Sequence, residues 1–163
     1  LPFDRGLEHS RAVPFQVLPH PLQRGHACIE VGEEFLDLGD NASLFGQWLR
    51  KPRVVTLNDL ERVDEAEVSG ALSPFDASQL RALDIIIQGL DKRESGYPET
   101  LLAVDVSRTL DDTDLDRAEA RARLLSGLGY RGLPGVGGKF ATERLMNEAE
   151  RRGILLRLIE QLN

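Results

Sequence analysis

The chain has 163 residues, of which 41% are hydrophobic and 29% charged, with a formal net charge of −7. That composition suits one soluble domain with a real core, and it excludes a disordered chain and a membrane-spanning one. The acidic balance also argues against indiscriminate nucleic-acid binding, which needs excess Lys and Arg, while leaving room for a local basic groove.

Residues 1–25 carry Pro2, Pro14, Pro19 and Pro21 with no sustained period and are predicted as an extended arm. Residues 26–163 then form a single domain. A strand is expected over Ala27–Val31, closed by Gly32. Asp40 and Asn41 cap a short helix through Ser43–Arg50, with Leu44, Phe45, Trp48 and Leu49 on one side and Pro52 ending it. Val54–Leu57 favours β structure. Asn58 starts a polar helix to about Val68, and Ser73-Pro74 opens another that ends near Ala82.

From Leu83 the pattern is more regular. Leu83–Leu90 is a short apolar run with β-branched residues, Asp91–Pro98 a polar hairpin connection, and Thr100–Ser107 a second strand. Asp111, Asp112 and Thr113 offer N-caps, with Asp116 three residues after Thr113 in a capping-box arrangement. The helix that follows places Leu115, Ala118, Ala122 and Leu125 on one face, and Gly127 and Gly129 stop it. Tyr130–Val136 is extended, Ala141–Arg152 helical with Gly153 as its C-cap, and Ile154–Ile159 a last strand. The order β-β-α-β-α-β over residues 82–160 predicts an α/β fold, a mixed central sheet flanked by helices, with a hairpin at its start.

A lone Cys28 excludes an internal disulfide, and His9, His20 and His26 all precede it, so a zinc cluster is not expected. His26 and Cys28 share a strand face by coincidence. No apolar stretch reaches span length, so no membrane is expected and the simplest location is cytoplasmic. Basic candidates are Arg50-Lys51-Pro52-Arg53 and the series Arg117, Arg121, Arg123; the latter reads as a solvated helix face with acidic partners. Trp48, Phe45 and Phe35 read as core or interface aromatics, and Glu61 with Glu65 as a solvated helix face.

Two acids stand inside otherwise apolar strands, Asp84 and Asp105. A carboxylate in a sheet needs a cation, a metal or a hydrogen-bond donor. On an antiparallel hairpin the start of one strand meets the end of the next, which brings both acids to one sheet end. Such a pair suits Mg²⁺, which takes carboxylate and water oxygens and can activate water against a phosphodiester. The structural alternative, at even weight, is a surface Asp84 and an Asp105 paired with an arginine such as Arg108.

Asp84, an apolar strand, a turn, then Val104-Asp105-Val106-Ser107 resembles the D…(D/E)-x-K signature of PD-(D/E)XK nucleases. The ordered series Val104–Thr109, Asp114–Ala118 and Arg121–Leu125, then Val136-Gly137-Gly138 and Ala149 with Gly153-Ile154, is similar to a bacterial group in that superfamily with an E-V-S-x-T variant of the motif. Phe45-Gly46 to Leu49-Arg50-Lys51 with Arg53-Val54-Val55 is similar to that group's upstream F-G-x-x-L-R-R stretch, so the resemblance spans roughly residues 32–160. It implies a restriction-endonuclease-like fold, Asp84 and Asp105 as metal ligands and catalytic acids, and Ser107 at the catalytic lysine's position.

Two departures follow. Asp105 replaces the more usual Glu and keeps its charge. Ser107 cannot supply the positive charge of lysine. Arg108 is adjacent but on the opposite strand face, leaving Lys92 or Lys139 as substitutes. The expected function is a Mg²⁺-dependent DNA phosphodiesterase with a degenerate site. The alternative is a catalytically inactive nuclease-fold module for binding or assembly. DNA is the implied partner, and a homo-oligomer stays open. The run Gly132–Phe140 looks like a phosphate loop, but Leu133 and Phe140 stand where the pattern needs Gly and Ser or Thr, so it reads as a strand-end turn.

Overall fold

In the computed structural model, which describes residues 28–31, 34–37 and 41–159, the β-branched runs and their neighbours assemble into a five-stranded mixed sheet flanked by helices. The elements are β1 (Cys28–Val31), β2 (Glu34–Asp37), α1 (Asn41–Leu44), β3 (Leu49–Val55), α2 (Glu61–Ser69), α3 (Pro74–Arg81), β4 (Ile85–Asp91), β5 (Glu99–Thr109), α4 (Asp112–Gly127), β6 (Gly132–Phe140), α5 (Glu143–Arg151) and β7 (Leu155–Leu158). Strands β1 and β2 pair antiparallel as a separate two-stranded sheet. The main sheet has the order β3-β4-β5-β6-β7. Its first three strands are antiparallel neighbours, whereas β5, β6 and β7 run parallel across the connections α4 and α5.

The two faces of this sheet follow from residue alternation along its central strands. Ile86, Leu101 and Ala103 face one way and pack with Val63 and Ala66 of α2, Leu80 of α3 and Ala122 and Leu125 of α4. Ile85, Ile87, Leu102, Val104 and Val106 face the other way, toward Phe45, Leu49 and Leu155. A third cluster of Leu115, Ala118, Val136, Leu145, Ala149 and Ile154 pins α4 and α5 onto β6. Each such Leu or Ile removed from water contributes about 1.5–3 kcal/mol before entropy is counted. Asp105 shares its strand face with Leu101 and Ala103, so it lies on the α4 side.

Several expectations are corrected. The helix predicted over Ser43–Arg50 is only Asn41–Leu44, followed by a turn in which the Trp48 and Leu49 amides both donate to the Phe45 carbonyl. Leu49 instead starts β3, opposite Asp91, because its side chain is needed in the core. Pro52 does not end a helix. It sits within edge strand β3 where the register shifts between Arg50 and Arg53, a place where a missing N–H costs no ladder bond. The region after Val55 divides into a 3₁₀ turn (Leu57–Asp59) and α2, closed by Gly70 in the left-handed region at φ 75°.

The start of α4 also moves. Asp111 is its N-cap, accepting from the Thr113 and Asp114 amides, and Asp114 rather than Asp116 completes the capping box. Gly132–Phe140 is no turn but the whole of β6, buried between β5 and β7. The predicted arm over 1–25 and the His26–Cys28 side-chain pair lie outside the described residues, as does the Phe35 side chain. Phe45 is buried and packs its ring 5.8 Å from that of half-buried Trp48, as expected of core aromatics.

Candidate functional site

The β4–β5 register pairs Ile85 with Val104. Continuing it by one residue sets Asp84 opposite Asp105, and cross-strand partners project from the same face. The hairpin register therefore sets the two acids at one end of the sheet and on one face. Asp84 counts as exposed as a residue, but its carboxylate reaches over the sheet end, where Oδ2 accepts from the Val106 amide at 2.7 Å. Asp105 is 2% exposed.

Helix α4 closes the site from above. Asp114, Arg117 and Arg121 recur at spacings of three and four and so form one stripe on it. An Arg121 Nη atom makes an ion pair with Asp105 Oδ1, and Arg121 is itself only 6% exposed. Asp105 Oδ2 and Arg121 Nε are buried without a hydrogen-bond partner. Ser107, two residues along β5 on the same face, donates its hydroxyl to Asp114 Oδ1 at 2.8 Å. Asp114 is buried, ion-paired with Arg117, and accepts the Asp111 amide at 2.9 Å. Ser107 is thus committed to a helix terminus, and Asp114 acts both as cap and as neighbour to the acids.

The charges of this cluster act on one another. Burial pushes the Asp84 carboxyl above its ordinary 3.8, against the opposing pull of the Val106 amide, Arg121 and Arg117, and Asp114 adds to the rise. Burial lowers the Arg121 pKa while the Asp84 charge raises it, and the guanidinium stays charged. Because the folded pKa of Asp84 lies above the unfolded one, its contribution to stability is fully present below 3.8 and is lost as pH rises through the raised value. Asp84→Asn, which keeps an acceptor for Val106, should gain stability relative to the wild type over that window. Urea denaturation at a series of pH values checks this, and a constant difference across the series would refute it.

Sequence reasoning gave Asp105 either an arginine such as Arg108 or a metal as its partner, and put the arginines 117, 121 and 123 on a solvated face; the partner is an arginine, but it is Arg121. Arg108 is exposed on the far side of β5. Arg123 is solvated and paired with Glu119, as expected, but Arg121 is buried in the site. The available signal was position: Arg121 falls on the stripe of Ala118, Ala122 and Leu125, where a charge must find a partner. Lys92 does not stand in for the missing lysine, since its ammonium donates to the Gly46 carbonyl beside the hairpin. Lys139 does not either, because Gly138 pairs with Ser107 and the next residue along β6 takes the opposite face. Glu61 and Glu65 are exposed on α2.

Asp84 and Asp105 remain the pair that could hold a divalent cation. The buried, unpartnered Asp105 Oδ2 is an orphaned hard oxygen, and Mg²⁺ is commonly held by one or two carboxylates with water completing its shell. Among the described residues no group of three or more His, Cys, Asp or Glu has metal-binding geometry. No described helix is long and apolar enough to cross a membrane. Comparison with protein-family models, curated proteins and solved structures finds no match to this chain.

Proposed function

We propose that this chain is a PD-(D/E)XK nuclease-like domain with a restriction-endonuclease-like fold and a degenerate, Mg²⁺-dependent site directed at DNA phosphodiesters. The observation that carries this reading is the meeting of Asp84 and Asp105 at one sheet end and on one face, with one Asp105 oxygen buried and unpartnered. The antiparallel β3-β4-β5 followed by parallel β6 across α4 supports the fold assignment. Asp84 and Asp105 would hold the cation, whose chemistry is activation of water and neutralisation of charge on a phosphodiester. Arg121 supplies from the helix the positive charge that the strand motif lacks at Ser107. Ser107 itself, tied to Asp114, orients the start of α4 and takes no proton.

A second reading has its own observation. The Arg121–Asp105 ion pair already neutralises one acid, which is what an inactive module for binding or assembly would retain. Mn²⁺ and Mg²⁺ calorimetry on the wild type and Asp84→Ala, run beside a plasmid-nicking assay, separates the two. Saturable binding abolished by Asp84→Ala together with nicking is the expected result. Binding without nicking favours the inactive module, and no binding by the wild type overturns the metal site.

A further inference from the structure

A recess of about 690 Å³ opens on the same face of the sheet, bounded by β3, β4, β5, the start of α2 and the loop from α4 to β6. Leu101 in its wall is four residues from Asp105, or about 13 Å along an extended strand. The recess is therefore separate from the acid pair. Arg53, Arg62 and Arg131 line it from three sides, beside Tyr130 and Gln88.

Arg53 and Arg62 are held differently from several other arginines in this acidic chain. Arg81, Arg144, Arg151 and Arg152 each meet a carboxylate. Arg53 instead donates to the Gln88 amide oxygen at 2.5 Å, and Arg62 donates to the Gly129 carbonyl. Among the described residues neither makes an ion pair. Asp59, on which the Arg53 charge acts without forming an ion pair, accepts from the Thr56 amide at 2.7 Å and its hydroxyl at 2.9 Å. Glu99 accepts from the Gln88 amide nitrogen. Arg131 is paired with Asp91 and Glu94, yet its Nε is buried with no partner.

Arg62 is also fixed in place. Its backbone amide donates to the Tyr130 hydroxyl at 3.1 Å, and its guanidinium lies 5.2 Å from the centre of the Tyr130 ring. Two charged forks on neutral acceptors, one braced on an aromatic ring, form a pre-organised anion site, because little ordering remains when an anion arrives. Guanidinium forks match the oxygens of a phosphate in a bidentate manner. The volume falls within the roughly 300–1,000 Å³ of small-molecule pockets and exceeds what a lone phosphate needs. Glu61, exposed beside Arg62, is left as an acceptor for a ligand hydroxyl.

We propose that this recess binds a phosphomonoester of nucleotide size, with its phosphate between Arg53 and Arg62. The site is independent of the metal-dependent reading of Asp84 and Asp105. Isothermal titration with adenosine monophosphate, adenosine and inorganic phosphate, all in EDTA, tests it on the full chain. The nucleotide should bind saturably and at least tenfold more tightly than either fragment. The double variant Arg53→Gln/Arg62→Gln, whose side chains are exposed, should lower its affinity at least tenfold with an unchanged circular dichroism spectrum, and Asp84→Ala should leave it unchanged. No saturable binding, undiminished affinity in the double variant, or loss of binding in Asp84→Ala would each overturn the proposal. Inorganic phosphate binding as tightly as the nucleotide would overturn the ligand's size.

Discussion

Asp105→Ala should lower the unfolding free energy by about 3–5 kcal/mol, the cost of leaving a buried partner charge uncompensated. Arg121 is 6% exposed, and Asp105 is the carboxylate with which it makes an ion pair among the described residues, Asp84 acting on it only at longer range. Against a typical domain stability of about 5–15 kcal/mol, that loss removes a large share of the total. Removing both charges acts differently. Asp105→Leu/Arg121→Met replaces the pair by apolar groups facing Ala103, Ala122 and Leu125, and should recover most of the loss. Asp84→Ala forfeits the acceptor of one amide and should cost about 1 kcal/mol. Urea denaturation of the four proteins checks the ranking. If Asp105→Ala falls within about 1 kcal/mol of the wild type, the buried ion pair does not have the role assigned to it.

Gly132→Ala has the next largest expected effect. A Cβ there would stand 2.3 Å from the Ala122 carbonyl oxygen and 3.0 Å from Ser126 Oγ, which is the point where α4 crosses β6. The carbonyl belongs to a helix fixed by Leu115, Ala118 and Leu125 and cannot give way. Overpacking of this kind costs about 1–3 kcal/mol and occasionally more. Gly138→Ala should behave alike, with its Cβ 2.6 Å from the Ser107 carbonyl oxygen, and should also disturb the Ser107–Asp114 contact. Gly127→Ala is the matched control. It ends α4 in open space, and alanine there should be neutral or stabilising by about 0.5–1 kcal/mol. Thermal melts of the three variants rank them, and a melting point for Gly132→Ala equal to that of Gly127→Ala would refute the close-approach account.

The central hairpin was legible in the sequence because Ile85, Ile86, Ile87 and the run Leu101–Val106 combine apolar side chains with β-branching, and the polar Asp91–Pro98 connection carries Gly96 and Pro98. Two strands were legible only in part: of β3 only Val54-Val55 read as β-favouring, and of β6 only the stretch up to Val136 read as extended. β3 contains Arg50, Lys51, Pro52 and Arg53, so its local chemistry contradicts a strand, and only the partner β4 makes it one. β6 has four glycines in nine residues and therefore little apolar payload of its own; it is a strand because β5, β7 and α4 need a thin neighbour. At the site, Asp84 and Asp105 stood out as acids within apolar runs. Arg121 did not, because a helical arginine is usually solvated; its place on the stripe of Ala118, Ala122 and Leu125 marked it for burial, but its partner depends on how α4 is set on the sheet.

The Arg121–Asp105 pair has an evolutionary consequence. Since Asp105 neutralises a buried guanidinium, a lineage that lost all chemistry at this site would still be selected to keep both residues for the sake of folding. An intact acid at 105 in a descendant would therefore testify to a persisting fold, whereas position 84, exposed and dispensable to the core, would be the first to drift once activity ceased to matter. Divergence between the two positions would date that loss.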